Sequence, residues 1–350
     1  MACQRSSFSA SFTHHFRGDP RGPPHPWRQD LGVHILSDLT GQGVEGLDSP
    51  RWTPLVKPGM KPPPSEIREY LTELVPDPER LRCGRLQPGP SCGDWDALLL
   101  VDEAPGSQYD ALLEAQRRLK TTPAAVAALA LAGRQFHGNR GRAWQAVRGN
   151  LHLSCQLPVD LDAARSAPAV PAIAALAVCE TIVALHPAAE PRIKWVNDVL
   201  LGPDKVSGVL ASAQSRGARI TSITYGIGLN VAVAPEVPPT VFVPGVTSLQ
   251  GAGLPSPLGS VIETLLAVLW DHLRHLAEHG PERAVDGYRR FSADRGRRVA
   301  VYAEGLPDTN DPAALPAPVA EGLVTGLDPQ LGLCVQGVAE PLSGGRLRYL

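Results

Sequence analysis

Two short segments hold the side chains best suited to chemistry on anions. The first is Gly138-Asn139-Arg140-Gly141-Arg142-Ala143-Trp144, in which glycines flank two arginines and a tryptophan follows. Glycine lets a backbone approach a ligand closely, and guanidinium forks grip phosphate or carboxylate oxygens. An indole can stack on a base or cap an apolar slot. The Gly-Lys-Ser/Thr ending of a Walker loop is missing. On its own such a loop reads equally as a solvated turn or an RNA-contacting segment. The second is Lys194-Trp195-Val196-Asn197-Asp198, followed by Lys205-Val206-Ser207-Gly208. Among the 33 basic residues only Lys57, Lys61, Lys120, Lys194 and Lys205 are lysines, so the pair eleven positions apart stands out. A strand ending in Asn-Asp sets an amide and a carboxylate at a sheet's rim, where they serve a nucleotide, a magnesium ion or simply a turn. Lys205 opens an apolar strand, where a charge is costly without a partner. Gly208 leaves room for a ligand three positions on.

A third segment, Gly226-Ile227-Gly228-Leu229-Asn230, lacks the third glycine and the following helix of a dinucleotide fingerprint. It reads instead as a strand in close contact with another group, ending on a polar side chain. His272, His275 and His279 share one helical face, but no carboxylate or cysteine completes a metal set, and a histidine-rich solvated face is the reading. The six cysteines, at 3, 83, 92, 155, 179 and 334, show no Cys-x-x-Cys spacing. A reducing, cytoplasmic setting follows, with Cys155 and Cys179 as small core residues.

These segments need a scaffold. The 350 residues suffice for two or three domains. With 43% apolar residues, 19% charged and a net charge of −2, the composition is that of a globular protein, and nothing global points to nucleic acid or a membrane surface. The longest uncharged apolar run, 167–179, is too short to span a bilayer and carries Pro168 and Pro171. Residues 1–95 hold fourteen prolines. They form a Pro/Gly-rich extension of unassigned role in which only 65–74 reads as a helix. Residues 1–18 lack acids and carry serines and arginines, as in an organelle transit peptide or a disordered tail. Beyond Trp95 the pattern alternates. Strands are expected at 97–101, 150–157, 192–196, 206–211 and 220–227, and helices at 108–119, 172–185 and 260–278. The alanine-rich stretch 121–133 reads as helix by propensity. Short strands at 298–302, 322–327, 331–335 and 346–350 predict a small β-barrel-like unit beginning near Tyr288. The result is an α+β (α/β) chain with a catalytic unit at 96–285 and a C-terminal unit at 286–350.

Taken together and in this order, the segments resemble the biotin protein ligases of the biotin/lipoate ligase family. That family carries a Gly-Arg-Gly-Arg-x-Gly-Arg-x-Trp loop and then Asn-Leu-x-x-Ser, matched by Gly138–Trp144 and Asn150–Ser154. Its Lys-Trp-Pro-Asn-Asp is similar to Lys194–Asp198, with Val196 for proline, and the lysine seven positions later is Lys205. Gly-Ile-Gly-Ile-Asn and Thr-Ser-Leu correspond to Gly226–Asn230 and Thr247–Leu249. An early Ser-Thr-Asn aligns with Gly106-Ser107-Gln108. The chain departs from the family at Phe136-His137 and at Asn139, where the family has Gly-Arg and a loop arginine.

The resemblance implies a class II synthetase-like mixed sheet with a small C-terminal SH3-like β-barrel. It implies formation of biotinyl-5′-AMP from biotin and ATP with Mg²⁺, then transfer to a lysine of a biotin carboxyl carrier domain, and it is compatible with a homodimer. Lys205, Arg140 and Arg142 take the catalytic roles. Ser107, Gln108, Gln135, Asn139, Arg140, Lys205 and Gly208 bind biotin. Arg142, Trp144, Asn197, Asp198 and Asn230 serve ATP, with no resident metal. A lipoate or octanoate ligase of the same fold is the near alternative. It shares the lysine but lacks the Arg-x-Trp ending. A non-catalytic RNA-binding protein using the Arg/Gly loop is the distant one. No helix-turn-helix pattern occurs in 1–95, so no repressor role is expected.

Overall fold

The computed structural model describes residues 95–350 except 121 and 123, together with Leu74 and the backbone of two strands, β1 (Val33–Ser37) and β2 (Arg82–Leu86). The expected helix at 65–74 and the N-terminal tail lie outside the described residues. The central element is a nine-stranded mixed sheet, ordered β2-β1-β3-β4-β5-β9-β8-β7-β6. Its middle is β3 (Ala97–Ala104), β4 (Val126–Gly133), β5 (Leu151–Asp162) and the long hairpin β8 (Asp204–Arg216) and β9 (Arg219–Leu229). The edge opposite β2 is β6 (Pro191–Lys194) and β7 (Asp198–Leu201). Strands β1, β3 and β4 run parallel, and the remaining pairs are antiparallel. The N-terminal extension thus contributes two strands to one edge of this sheet.

Alternation along the strands decides which face each side chain serves. Leu98, Leu100, Leu129, Leu151 and Leu153 point to a large core covered by three helices. These are α3 (Ala169–Leu185), α4 (Leu258–His279) and α5 (Glu282–Phe291). Leu99, Val101, Val126, Ala128 and Ala130 point the other way, onto α1 (Gln108–Leu119). This two-faced burial overrides helix propensity at 126–133. Every residue from Val126 to Ala130 is fully buried, and a strand covered on both faces needs no polar alternation.

Helix α3 is apolar all round, as a helix enclosed by protein should be. With the short α2 (Ala163–Ser166) it makes a 23-residue stretch long and apolar enough by composition to cross a membrane. Here 72% of that window is buried inside the protein. The run is longer than the sequence suggested because Pro171 sits in the first turn of α3, where its missing N–H costs nothing. Cys155 and Cys179 are core residues, as expected.

A second, smaller sheet is ordered β12-β11-β10-β13. It comprises β10 (Arg298–Tyr302), β11 (Ala320–Leu327), β12 (Leu333–Val335) and β13 (Arg346–Tyr349). Trp195 of the central motif is buried in the core of this sheet, its indole N–H bonded to Leu331 O at 2.9 Å. Tyr288, the expected start of the unit, lies instead in α5 and donates to Val196 O at 2.7 Å.

Candidate active site

Lys205 and Asp198 define the site. The hairpin turn at 202–203 folds β8 back on β7, so that Asp198 pairs in register with Gly208 and lies beside Lys205. The ammonium is 2.6 Å from the carboxylate, with side-chain exposures of 18% and 12%. Burial alone would raise the Asp198 pKa, but Lys205 and Lys194 outweigh it and hold the carboxyl below its ordinary range. Lys194, whose own pKa burial depresses, donates to Phe242 O. Lys205 is therefore a pre-oriented cation at the floor of a cavity of about 700 Å³.

The loop after β4 forms one wall. Phe136 packs against the face of Gly133, and Trp144 N donates to Phe136 O at 2.9 Å, closing the loop on itself. The indole N–H of Trp144 lies 3.3 Å from His152 Nδ1, and His152 Nε2 meets Val147 O at 2.9 Å. Burial drives the His152 pKa down to about 4, so the ring is neutral and accepts from the indole. Trp144 lies against the second glycine of the Gly226–Asn230 segment. A Cβ on Gly228 would sit 2.3 Å from the indole, and one on Gly226 would meet the Tyr109 ring at 3.1 Å. Close approach, not a dinucleotide turn, is what these glycines serve.

Ser107, Asn139, Arg142 and Trp144 line the cavity from the α1 and loop side; Asn197, Lys205, Gly208 and Asn230 line it from the sheet. Ser107 also caps α1, accepting from Asp110 N at 3.3 Å. Arg142 is aimed by a bond from its Nε to Asn139 O at 3.0 Å. Asn197 donates to Val209 O at 2.8 Å and Asn230 to Thr247 O at 3.0 Å, so both hold backbone as well as facing the cavity. Asn150 staples the segment after Asn230, its Oδ1 accepting from Val231 N and Val233 N at 3.0 Å.

Four anticipated residues stand off the cavity wall. Gln108 is 1% exposed behind Ser107, with neither amide atom bonded to any described residue. Gln135 sits exposed at a turn with φ 55°. Arg140 is exposed and lies 3.6 Å from Glu304 of the small sheet's loop. Asp198 acts behind Lys205. Among the described residues no group of three His, Cys, Asp or Glu could hold a metal. His272 is bonded instead to Glu180 at 2.8 Å, and His275 stacks on His279.

Several wall residues fall outside the motifs. Tyr109 and His137 come from the ends of recognised segments. His137 Nε2 meets Asp110 at 2.7 Å and its Nδ1 meets Gly138 O at 3.0 Å; the Gly138 bond is the main reason its pKa is raised. Pro235, Val237, Pro238, Pro239 and Val243 form an apolar wall, and Asp308, Thr309 and Asn310 reach in from the small sheet. No motif marks either stretch.

Comparison with known proteins agrees with this geometry. A family model described as the biotin/lipoate A/B protein ligase family matches residues 110–230, from the first turn of α1 to Asn230. A biotin–[acetyl-CoA-carboxylase] ligase of Paracoccus denitrificans is 38% identical over 109 residues, 30% of this chain and 45% of that protein. The Mycobacterium tuberculosis protein of the same name is 29% identical over 264 residues, covering 74% of this chain and 86% of its own. Among solved structures, a biotin protein ligase from Aquifex aeolicus in complex with biotin and ATP superimposes with a TM-score of 0.53 at 20% identity. That match covers 72% of this chain and 98% of the other, and establishes a shared fold. Residues 110–230, which carry both basic segments and the glycine strand, are thus the part of the chain that is similar to the biotin/lipoate A/B protein ligase family.

Proposed function

We propose that the protein is an ATP-dependent biotin protein ligase. It would form biotinyl-5′-AMP and pass the biotinyl group to a lysine of a biotin carboxyl carrier domain. The observation that carries this reading is the Lys205–Asp198 pair at the cavity floor, with Arg142 and Trp144 on the facing wall. In the first step a carboxylate oxygen bonds to the α-phosphorus and pyrophosphate leaves. Water disfavours that approach of two anions, and a fixed cation between them stabilises the charge that develops. Asp198 spares Lys205 the search for an orientation, and Arg142 supplies a second cation from the loop. In the second step the acceptor amine attacks the acyl carbon, AMP departs, and the amine loses a proton. The apolar proline wall shields the mixed anhydride from water in between.

Ser107, which lines the cavity, is read as a partner of the acid's ureido head, while Gln108 is buried off the cavity wall and is not assigned a direct contact. Trp144, Asn197 and Asn230 are assigned to the nucleotide, and Gly208 allows close approach beside Lys205. Asp198 is committed to Lys205, so magnesium would arrive with the ATP phosphates and take few protein ligands. The small sheet is read as an SH3-like domain, and the cytoplasm, with its ATP and unmodified carrier, as the setting. A lipoate ligase is disfavoured by the Arg142-Ala143-Trp144 ending and by the relatives' names. The test is transfer of biotin to a carboxyl carrier domain with ATP and magnesium. Equal or better transfer of lipoate would contradict the assignment of the acid.

A further inference from the structure

The cavity has a wall that the ligase reading leaves without a task. Three consecutive polar residues, Asp308, Thr309 and Asn310, line it from the loop that follows β10. This loop belongs to the small sheet, yet it is fastened to the catalytic unit. Val241 N donates to Thr309 O at 2.9 Å. Arg346 of β13 is 6% exposed and bonds Asp308, with Leu306 O at 2.7 Å. Its guanidinium lies 3.8 Å from the centre of the Phe242 ring. The segment that carries Phe242 leads directly to Lys205, because Lys205 N donates to Gly245 O at 3.0 Å and Thr247 N to Lys205 O at 2.9 Å. The loop therefore lines the same cavity as Lys205, and its backbone is held at Leu306 O and Thr309 O.

The chemistry of this wall does not suit phosphate. Asp308 is a carboxylate, and its pairing with Arg346 leaves no net positive charge to draw the triphosphate. The Thr309 hydroxyl is occupied by Asp311, whose N–H it accepts at 3.1 Å. Among the described residues the Asn310 amide makes no hydrogen bond. What remains on this stretch is one carboxylate acceptor and one open amide, two residues apart, on a cavity whose adjoining segment 235–243 carries prolines and valines. Such a pair matches two adjacent hydroxyl groups, which donate to the carboxylate and exchange hydrogen bonds with the amide. In an acyl-adenylate the only vicinal diol is that of the ribose, one ester bond from the phosphate.

We infer that Asp308 and Asn310 bind the 2′- and 3′-hydroxyls of the nucleotide's ribose, and that Arg346 is the positioning residue that holds Asp308 toward them. The small sheet is then part of the nucleotide site, although none of the recognised motifs lies in this loop. This inference rests on the adenylating reading of the cavity.

The test compares ATP with 2′-deoxy-ATP and 3′-deoxy-ATP in biotin-dependent ATP–pyrophosphate exchange by the full chain. The expected result is about a tenfold preference of the native protein for ATP, the effect of losing one or two hydrogen bonds. Asp308→Asn and Asn310→Ala should raise KM for ATP by a similar factor and erase most of the discrimination, with kcat and biotin affinity little changed. Arg346→Lys should do the same, because the lysine keeps the charge but loses the fork that aims Asp308. Asn310→Ala breaks no bond to a described residue, so it separates ligand contact from folding. Equal use of all three nucleotides by the native protein would overturn the inference, as would variants that weaken all three alike. Absence of exchange with biotin and ATP in the native protein would instead remove the adenylating reading beneath it.

Discussion

The hairpin 194–208 and the loop 138–144 face the same cavity and are built in opposite ways. The hairpin is sheet. Its lysine and aspartate are mostly buried, bonded to each other, and locked by the register of β7 on β8. The loop is held by its own backbone, and its arginines are open to solvent or only half covered. Arg140 adopts φ 58° and, among the described residues, pairs with Glu304 at 3.6 Å. On the proposed reading the difference separates two tasks. A cation that must sit between two reacting anions has to be placed before they arrive, because reorganising it during the reaction would cost part of the barrier it lowers. A wall that admits substrate and then covers an intermediate has to retain freedom.

This contrast can be broken most severely at Lys205. Lys205→Ala should lower ATP–pyrophosphate exchange by about 10²–10³-fold while circular dichroism reports an intact fold. Unchanged exchange would show that the hairpin is scaffold only. The next effect is steric. Gly228→Val would drive a branched side chain into the Trp144 ring, and a displacement of that kind should raise KM for ATP about tenfold or more. If the value stays within a factor of two, Trp144 does not contribute to the nucleotide site. Within the loop the two arginines should differ. Arg142→Ala, which removes a cavity-lining guanidinium, should cost about tenfold in kcat/KM, whereas Arg140→Ala should cost less than about threefold, as exposed pairs generally do. A reversed order would move the second cation to Arg140.

The smallest effect concerns pH. His152 is buried neutral, with its pKa lowered to about 4, while in the unfolded chain it returns to about 6.5. The unfolded state therefore binds the extra proton first. The stability His152 contributes is complete above about pH 6.5 and is lost as pH falls toward 4, by about 2–3 kcal/mol at most. His152→Gln should flatten this part of the stability profile between pH 7 and 4, measured by urea unfolding. An unchanged slope would mean that the ring is already charged or solvated in the native protein.

Much of this arrangement was legible in the residues. Period-two and helical patterns located most strands and helices between 97 and 349, and β10 falls on the expected residues 298–302. The misreadings have specific causes. The stretch 121–133 reads as helix by propensity while the family resemblance implies a strand, and burial on both faces makes Val126–Gly133 a strand. The helix expected from residue 172 begins at Ala169, because Pro171 is accommodated in its first turn. In the site, Lys205, Arg142, Trp144 and Asn230 carried local signatures. Gln135 and Arg140 follow from motif spacing, yet both adopt positive φ, are exposed and do not line the cavity. The proline wall and Asp308–Asn310 had no local signature, because their role arises from a contact between two sheets far apart in the chain.

The central claim is that the Lys205–Asp198 floor and the Arg142–Trp144 wall form one adenylating site specific for biotin. The most direct measurement is mass analysis of ligands held by the full chain after incubation with biotin, ATP and magnesium, with lipoate in a parallel sample. The account predicts bound biotinyl-5′-AMP and one equivalent of released pyrophosphate from biotin, almost none from lipoate, and none from either acid in Lys205→Ala. Bound biotin and intact ATP without the adenylate, or equal adenylation of lipoate, would contradict it.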